Sequence, residues 1–344
     1  MLGSWVRAPS GSLRKSLGFV QGFFRSYSGI GMKEDFVQNF EAFLADNGVE
    51  LKELGNACLF VVRTGLLVVP VSLQTACSMD SESRMAIVSE CENELSLWKI
   101  KDVFFLYEDA FRRGEKQWRK RVLARCGVFK SVFARKCRVV RLQSQKEKEL
   151  ARAFLEENHS LGWCGCKACY ALVLANGGMQ GDGAIVAVAS FSSALAVKRY
   201  PGKDLFVDVG PDSELQCDGI PFESYQWLRY ASVAGVRVAG GMGRLLKAFI
   251  KDLQASLSDG HGTGSRGIEI MSYSDNEWSC GNVYRELGFS ECGGRGAVEF
   301  LVDGLSWRRF RKLPLNEDGN SAGHACEMSV VKNCGSKRYL LQLI

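Results

Sequence analysis

Tyr225-Gln226-Trp227-Leu228-Arg229-Tyr230-Ala231 is a short apolar and aromatic run that reads as a β-strand. It leads into the glycine-rich turn Gly235-Val236-Arg237-Val238-Ala239-Gly240-Gly241-Met242-Gly243. A helical run follows, Arg244-Leu245-Leu246-Lys247-Ala248-Phe249-Ile250. After a polar Gly/Ser loop come a second strand, Gly267 to Tyr273, and a last segment, Trp278 to Phe289, ending in Tyr284-Arg285-Glu286-Leu287-Gly288-Phe289. Strand, glycine turn, helix, strand, helix is an α/β unit. Its turn can present backbone amides to a phosphate or a carbonyl oxygen, because glycines allow close approach and a helix N-terminus leaves N–H groups unpaired.

Outward from that unit, the chain has 344 residues, 46% hydrophobic and 24% charged, enough for two globular domains. No apolar run approaches the roughly 18 residues a membrane-spanning helix needs, so no membrane partner is expected. The thirteen cysteines are odd in number and scattered, and they read as mostly reduced thiols in core positions.

Residues 1–33 carry Arg7, Arg14, Lys15, Arg25 and Lys33, are serine-rich, and hold no acid before Glu34. Leu13, Leu17, Phe19, Val20, Phe23 and Phe24 give a loosely amphipathic helix. This is the composition of a mitochondrial targeting peptide, with Arg25-Ser26-Tyr27-Ser28 as a cleavage site, and it predicts a matrix location. A basic arm that touches nucleic acid is the alternative.

Asp35 to Asn47 has helical periodicity, and Gly48 is its stop. Cys58 to Val62 and Leu66 to Leu73 form a hairpin around Arg63-Thr64-Gly65, with Pro70 placing the second run at an edge or bulge. Ser78 to Ser83 reads as a loop. Met85 to Trp98 reads as a helix with Met85, Val88, Cys91, Leu95 and Trp98 on one face. Val103 to Tyr107 reads as a buried strand.

From Arg112 to Arg141 the charge changes. Twelve basic residues, among them Arg112, Arg113, Lys116, Arg119, Lys120, Arg121, Arg125, Arg135 and Lys136, face one acid, Glu115. Trp118, Val122, Leu123, Phe129 and Phe133 interleave with them. A helix here buries the aromatics and turns the arginines outward, giving a face that neutralises phosphates, so RNA or DNA is the expected partner. A solvated connector between domains is the other reading.

Further on, Lys146 to Glu157 is helical, and Ala171 to Ala175 and Ala184 to Phe191 are strands. Ser192 to Glu223 is a long connection that could serve as a lid. Val298 to Val302 and Arg338 to Leu343 are strands, and Trp307-Arg308-Arg309-Phe310-Arg311-Lys312 is a second basic, aromatic cluster. His159, Cys164, Cys166 and Cys169 could hold zinc or be ordinary thiols of a loop and strand; no metal is expected. His159, leaving a helix beside Asn158, is placed to act as base or substrate contact. Asp275, just past a strand end, is placed to face a ligand. His261 and His324, in glycine-rich loops, carry no signal.

The unit from Tyr225 to Phe289 resembles the Gcn5-related N-acetyltransferase superfamily, whose turn has the form Arg/Gln-x-x-Gly-x-Gly/Ala. Gly241-x-Gly243 fits with Val238 at the Arg/Gln position. The frame Arg237-x-x-Gly240 puts Met242 at the last small position. The resemblance implies acyl-CoA as cofactor, held by Val238, Ala239, Gly240, Gly241, Met242, Gly243 and Arg244. It also implies Tyr284 as the general acid that protonates the departing thiolate.

A second resemblance runs in order from about residue 100 to the C-terminus. Leu106-Tyr107-Glu108-Asp109-Ala110-Phe111, Lys120-Arg121-Val122-Leu123, Ala134-Arg135-Lys136-Cys137 and Phe154 to Gly162 are similar to bacteriophage proteins of the Hef-like homing-endonuclease group. Tyr273-Ser274-Asp275-Asn276-Glu277-Trp278-Ser279 and Cys334 to Tyr339 extend the match. It implies a restriction-endonuclease-like PD-(D/E)xK nuclease domain, related to very-short-patch repair enzymes, before an acetyltransferase-like domain similar to the phage adenine-modifying enzyme Mom. The hairpin from Cys58 to Val71 has no carboxylate, so the nuclease-like domain is expected to be degenerate.

The domains expected are a targeting peptide over 1–33, a degenerate nuclease-like domain over 34–137 and an acetyltransferase-like domain over 138–344. The function expected is nucleic-acid binding in mitochondrial RNA or DNA metabolism, as binder or modifier. The alternatives are an active acyl-CoA-dependent N-acetyltransferase on a protein or small amine, and a non-catalytic subunit of a mitochondrial ribonucleoprotein assembly.

Overall fold

A computed structural model of the chain describes residues 35–95, 98–175, 183–199, 220–256, 267–311 and 328–343. The targeting-peptide segment, most of the lid segment, His261, His324 and Lys312 lie outside the described residues. In chain order the first elements are α1 (Asp35–Asp46), β1 (Leu51–Glu53), β2 (Leu59–Val61), β3 (Leu66–Val71), α2 (Leu73–Ala76), α3 (Ser81–Glu94), β4 (Asp102–Tyr107) and α4 (Glu108–Arg113). Then come α5 (Lys116–Arg125), β5 (Lys130–Phe133), β6 (Cys137–Arg141), α6 (Gln145–Asn158), β7 (Ala168–Leu174), β8 (Ile185–Phe191), β9 (Leu195–Arg199) and β10 (Ile220–Ser232). The last are β11 (Val236–Ala239), α7 (Gly241–Ser256), β12 (Gly267–Asp275), α8 (Asn282–Glu286), β13 (Ser290–Arg295), β14 (Glu299–Asp303), β15 (Arg309–Arg311), β16 (Met328–Lys332) and β17 (Ser336–Leu343). The architecture is mixed α/β. Among the described residues no helix is long and apolar enough to cross a membrane.

The chain forms two compact units. Of the described residues, those within 1–112 and 299–332 make the first, and those within 113–298 and 333–344 make the second. This moves the boundary expected after residue 137 to the start of the basic segment, and it returns β14 to β16 to the first unit. The reason is physical: Asp109 and Arg309, remote in sequence, are one ion pair.

In the first unit the sheet order is β1-β2-β3-β4, antiparallel except for β3 beside β4. The β2–β3 hairpin turns at Gly65, whose φ of 72° suits glycine. Every residue of β2 and β3 is buried. Pro70 is not on an edge strand, because β3 lies between β2 and β4. Pro70 nevertheless pairs only with β4, opposite Leu106, because β2 pairs with β3 no further than Val68, so its missing N–H breaks no bond on the β2 side. Helix α3 begins earlier than its apolar residues suggest. The Asp80 side chain accepts from the Ser83 amide at 2.8 Å and caps it. Its buried face is Ser83, Arg84, Ile87 and Cys91, while Met85 is 72% exposed.

The second unit is organised on the sheet β13-β17-β12-β10-β8-β7-β6, with β9 paired to β10 as well. Residues of β7 alternate between its faces. Tyr170, Leu172 and Leu174 join Phe191, Trp227, Leu245 and Phe249 on one side. Cys169, Ala171 and Val173 pack with Ala151 and Leu155 of α6 on the other. The Phe191 and Phe249 rings stack at 3.9 Å, fixing α7 to its face. Each large side chain fully buried this way contributes about 1.5–3 kcal/mol. Helix α6 starts with a capping box between Ser144 and Glu147.

The basic segment is not one helix. Beyond α4 it holds α5; Gly127 breaks the chain with φ of 92°, and β5, a single 3-10 turn at Ala134–Lys136 and β6 follow. Trp118 and Val122 are buried as expected, but Phe133 is 47% exposed. The segment Val236–Ala239, expected as part of a glycine turn, is strand β11, paired in parallel with β5.

Candidate functional site

Strands β10 and β12 are parallel neighbours only along Phe222–Gln226 and Gly267–Met271. Past that point β10 shifts register between Trp227 and Arg229 and pairs with β8, while β12 runs on beside β17 to Asp275. The two strands therefore part. The Ser272 hydroxyl sits at the parting point, 3.3 Å from the Trp227 carbonyl oxygen and donating to the Tyr284 hydroxyl at 3.0 Å.

Tyr284 is committed there. Its hydroxyl donates to the Tyr273 carbonyl at 3.1 Å, and its ring stacks on Tyr339 at 4.9 Å. Burial raises its phenol pKa, with the Ser272 hydrogen bond pulling the other way. Tyr284 lines neither the cavity along α7 nor the one beside Trp278. Asp275, in the last position of β12, uses its Oδ1 to accept from the Glu277 amide at 2.9 Å, and it too lines neither cavity.

The first cavity, of about 760 Å³, lies along the start of α7. Of the seven residues expected to bind a cofactor, Ala239, Gly240, Gly243 and Arg244 line it. Val238 and Met242 pack with the core instead. Gly241 is buried where a Cβ would lie 2.5 Å from the Tyr230 hydroxyl. Gly240 turns the chain into the helix with φ of 75°. The Arg244 side chain reaches back and donates to the Ala134 carbonyl at 2.9 Å, so residues 133–135 flank the first turn of α7. Arg135 and Lys247 add charge to the lining, and Leu246, Ile250 and Leu341 make it largely apolar.

The second cavity, of about 290 Å³, brings together Arg121 and Arg125 of α5, Asn158 and His159 at the end of α6, the chain from Tyr230 to Val236, and Trp278. The Arg121 guanidinium lies 4.3 Å from the centre of the Trp278 ring, and Trp118 meets that ring edge-on at 6.3 Å. Asn158 holds the wall. Its Oδ1 accepts from the Ala234 amide at 2.9 Å, and its Nδ2 donates to the Phe154 carbonyl at 2.9 Å. The His159 Nδ1 accepts from the Leu161 amide at 3.1 Å. Burial, with Arg229 and Arg121 beside it, lowers the His159 pKa to about 4, so the ring is neutral near pH 7. Burial also lowers the Arg121 pKa, with Asp275 opposing and Arg125 adding to that effect.

The expectation that the arginines of the basic segment all turn outward is therefore corrected: Arg121 and Arg125 point to this cavity because α5 buries Trp118 and Val122 on its inner face. Arg112 pairs with Glu108 at 2.7 Å and with Asp35 at 2.5 Å, and Arg113 pairs with Glu115 at 3.0 Å. Lys116, Arg119, Lys120, Arg135 and Lys136 remain exposed. In the second basic cluster the half-buried Arg309 pairs with the buried Asp109.

Residues that sequence reasoning did not assign to a site are Tyr230 and Trp278. The signal for Trp278 was its place just beyond the end of β12. Among the described residues no three His, Cys, Asp or Glu side chains converge as metal ligands. Set against known proteins, no family model matches this chain and no curated protein matches it.

Proposed function

We propose that this chain is a nucleic-acid-binding protein of the mitochondrial matrix that works on organellar RNA or DNA as binder or modifier. In this reading its first unit is a degenerate restriction-endonuclease-like fold and its second a Gcn5-related acetyltransferase-like fold. The observation that carries the proposal is the exposed cationic run Lys116, Arg119, Lys120, Lys130, Arg135, Lys136 and Arg138, with the exposed Phe133 ring 4.9 Å from the Arg135 guanidinium. Cations spaced along a chain neutralise phosphates, and an exposed aromatic ring offers a base a face to stack on.

Support for the two folds is local. β10, the glycine turn, α7, β12 and α8 follow one another as the acetyltransferase resemblance requires. In the first unit β2 and β3 hold no carboxylate, and the acids after β4 have structural partners. Glu108 accepts from the Leu73 amide at 3.0 Å, and Asp109 binds Arg309. The targeting-peptide composition of residues 1–33 supports the location, and a mitochondrial ribonucleoprotein assembly would use the same cationic surface.

Filter binding to RNA and DNA over a salt series tests this reading. Affinity should fall steeply with salt, and Arg135→Ala with Lys136→Ala should flatten the log–log slope by about 0.7–0.9 for each phosphate no longer neutralised. Absent or salt-independent binding would overturn it.

The cavity along α7 favours a second reading, an acyl-CoA-dependent N-acyltransferase. Arg135, Arg244 and Lys247 can meet phosphates there, beside an apolar wall. Lys247→Glu should weaken acetyl-CoA binding about 3- to 10-fold in calorimetry. No heat with the wild-type protein would remove this reading and leave the first standing.

A further inference from the structure

The second cavity has a chemistry of its own. Two guanidiniums and a neutral imidazole line it, and its walls come from four separate parts of the second unit. Among the described residues no carboxylate lies within ion-pair distance of Arg121; Asp275 acts on it from farther away. A guanidinium that is half-buried without a carboxylate partner is costly unless something else meets it. The Trp278 ring meets one of its faces at 4.3 Å, which fixes the plane of the fork and leaves its N–H edge for another acceptor.

His159 adds a donor. Because its Nδ1 accepts from the Leu161 amide at 3.1 Å, the neutral ring carries its proton on Nε2. Asn158 is not a ligand but a positioning residue, since both ends of its amide are spent on Phe154 and on the turn at Ala234. The result is a pocket of about 290 Å³ with fixed N–H donors, larger than a bare ion requires.

We infer that this cavity is a phosphate-binding site in which Arg121 and Arg125 pair with the phosphate oxygens and the His159 Nε2–H donates to a third. The fork of Arg121, with the unsatisfied Nη1 of Arg125 on the same wall, suits the several oxygens of a phosphate better than the two of a carboxylate. The phosphate can belong to a nucleic-acid end or to a small phosphorylated metabolite. The inference goes beyond the nucleic-acid reading and does not depend on it, because the exposed residues Arg135 and Lys136 are not part of this cavity.

The full chain is titrated with inorganic phosphate, with acetate and with chloride at matched ionic strength, while unfolding temperature and the His159 side-chain NMR signals are followed. With only three histidines in the chain, His159→Gln assigns the signal. Phosphate is expected to raise the unfolding temperature and to shift the His159 resonances, and acetate to do neither.

Arg121→Met is expected to weaken phosphate binding about tenfold or more. The ligand-free variant should unfold no earlier than wild type, since a costly charge is removed; a merely structural arginine would show the opposite. A 5′-phosphorylated dinucleotide binding more tightly than its 5′-hydroxyl form points to a nucleic-acid end. Tighter binding of adenosine monophosphate than of either points to a metabolite. The Arg135→Ala, Lys136→Ala protein should bind phosphate like wild type, so failure here and failure of the nucleic-acid reading are separable. No response to phosphate beyond chloride, an equal response to acetate, or full binding by Arg121→Met overturns the inference.

Discussion

Replacing Asp109 with alanine is expected to destabilise the first unit by about 3–5 kcal/mol. Asp109 is 1% exposed, and its two oxygens accept from Arg309, from Nε at 2.7 Å and from Nη2 at 3.1 Å. The Arg309 guanidinium also lies 4.6 Å from the centre of the Tyr107 ring. Removing the carboxylate takes the bidentate partner from a half-buried guanidinium, and its desolvation cost is less well offset. The double replacement Asp109→Leu with Arg309→Met should recover most of the loss, because neither charge then needs a partner. Urea unfolding of both proteins checks this. A single variant within about 0.5 kcal/mol of wild type would mean that the pair contributes nothing.

Acid should destabilise the second unit through His159. Its pKa is about 4 in the folded chain against an ordinary 6.5. Between those values the unfolded chain binds the proton and the folded chain does not, so stability rises with pH across that window and is lost as pH falls through it. The full effect is about 3 kcal/mol, since each unit of difference is worth about 1.36 kcal/mol. Burial causes most of it, and the charges of Arg229 and Arg121 add to it. His159→Gln should flatten the stability profile between pH 6.5 and 4. An unchanged slope in that variant would show that other groups produce the acid sensitivity.

The strands and helices were legible wherever the apolar pattern was strong. The β2–β3 hairpin, the helix after Ser144, strands β7 and β8, helix α7 and strand β12 lie where periodicity and glycines put them, whereas β10 starts earlier, at Ile220, and Val236–Ala239 is a strand instead of a turn. Helix α3 was mislaid because Ser83 and Arg84, polar residues, belong to its buried face, and a pattern of apolar residues cannot register that. Four of the seven expected cofactor residues line a cavity, and the others face the core, because β11 pairs with β5 and turns Val238 inward. That pairing joins segments about a hundred residues apart, which no local signal encodes. The same holds for the second cavity. The sequence marked Arg121 and Arg125 as part of a charged surface, but only the packing of Trp118 against Trp278 turns that side of α5 inward.

The return of residues 299–332 to the first unit bears on the order in which the protein is made. A chain synthesised from its N-terminus lays down β4 and Asp109 long before Arg309 exists. The sheet of the second unit is equally incomplete until the end, because β17, a strand between β12 and β13, comes last. Both units are therefore finished by the same final stretch, from β14 to β17, and neither can close domain by domain during synthesis. Until then the chain carries an unpaired edge along β12 and an unmet carboxylate at Asp109. A truncation ahead of Glu299 would take β17 from between β12 and β13 and Arg309 from Asp109, so it should weaken both units at once.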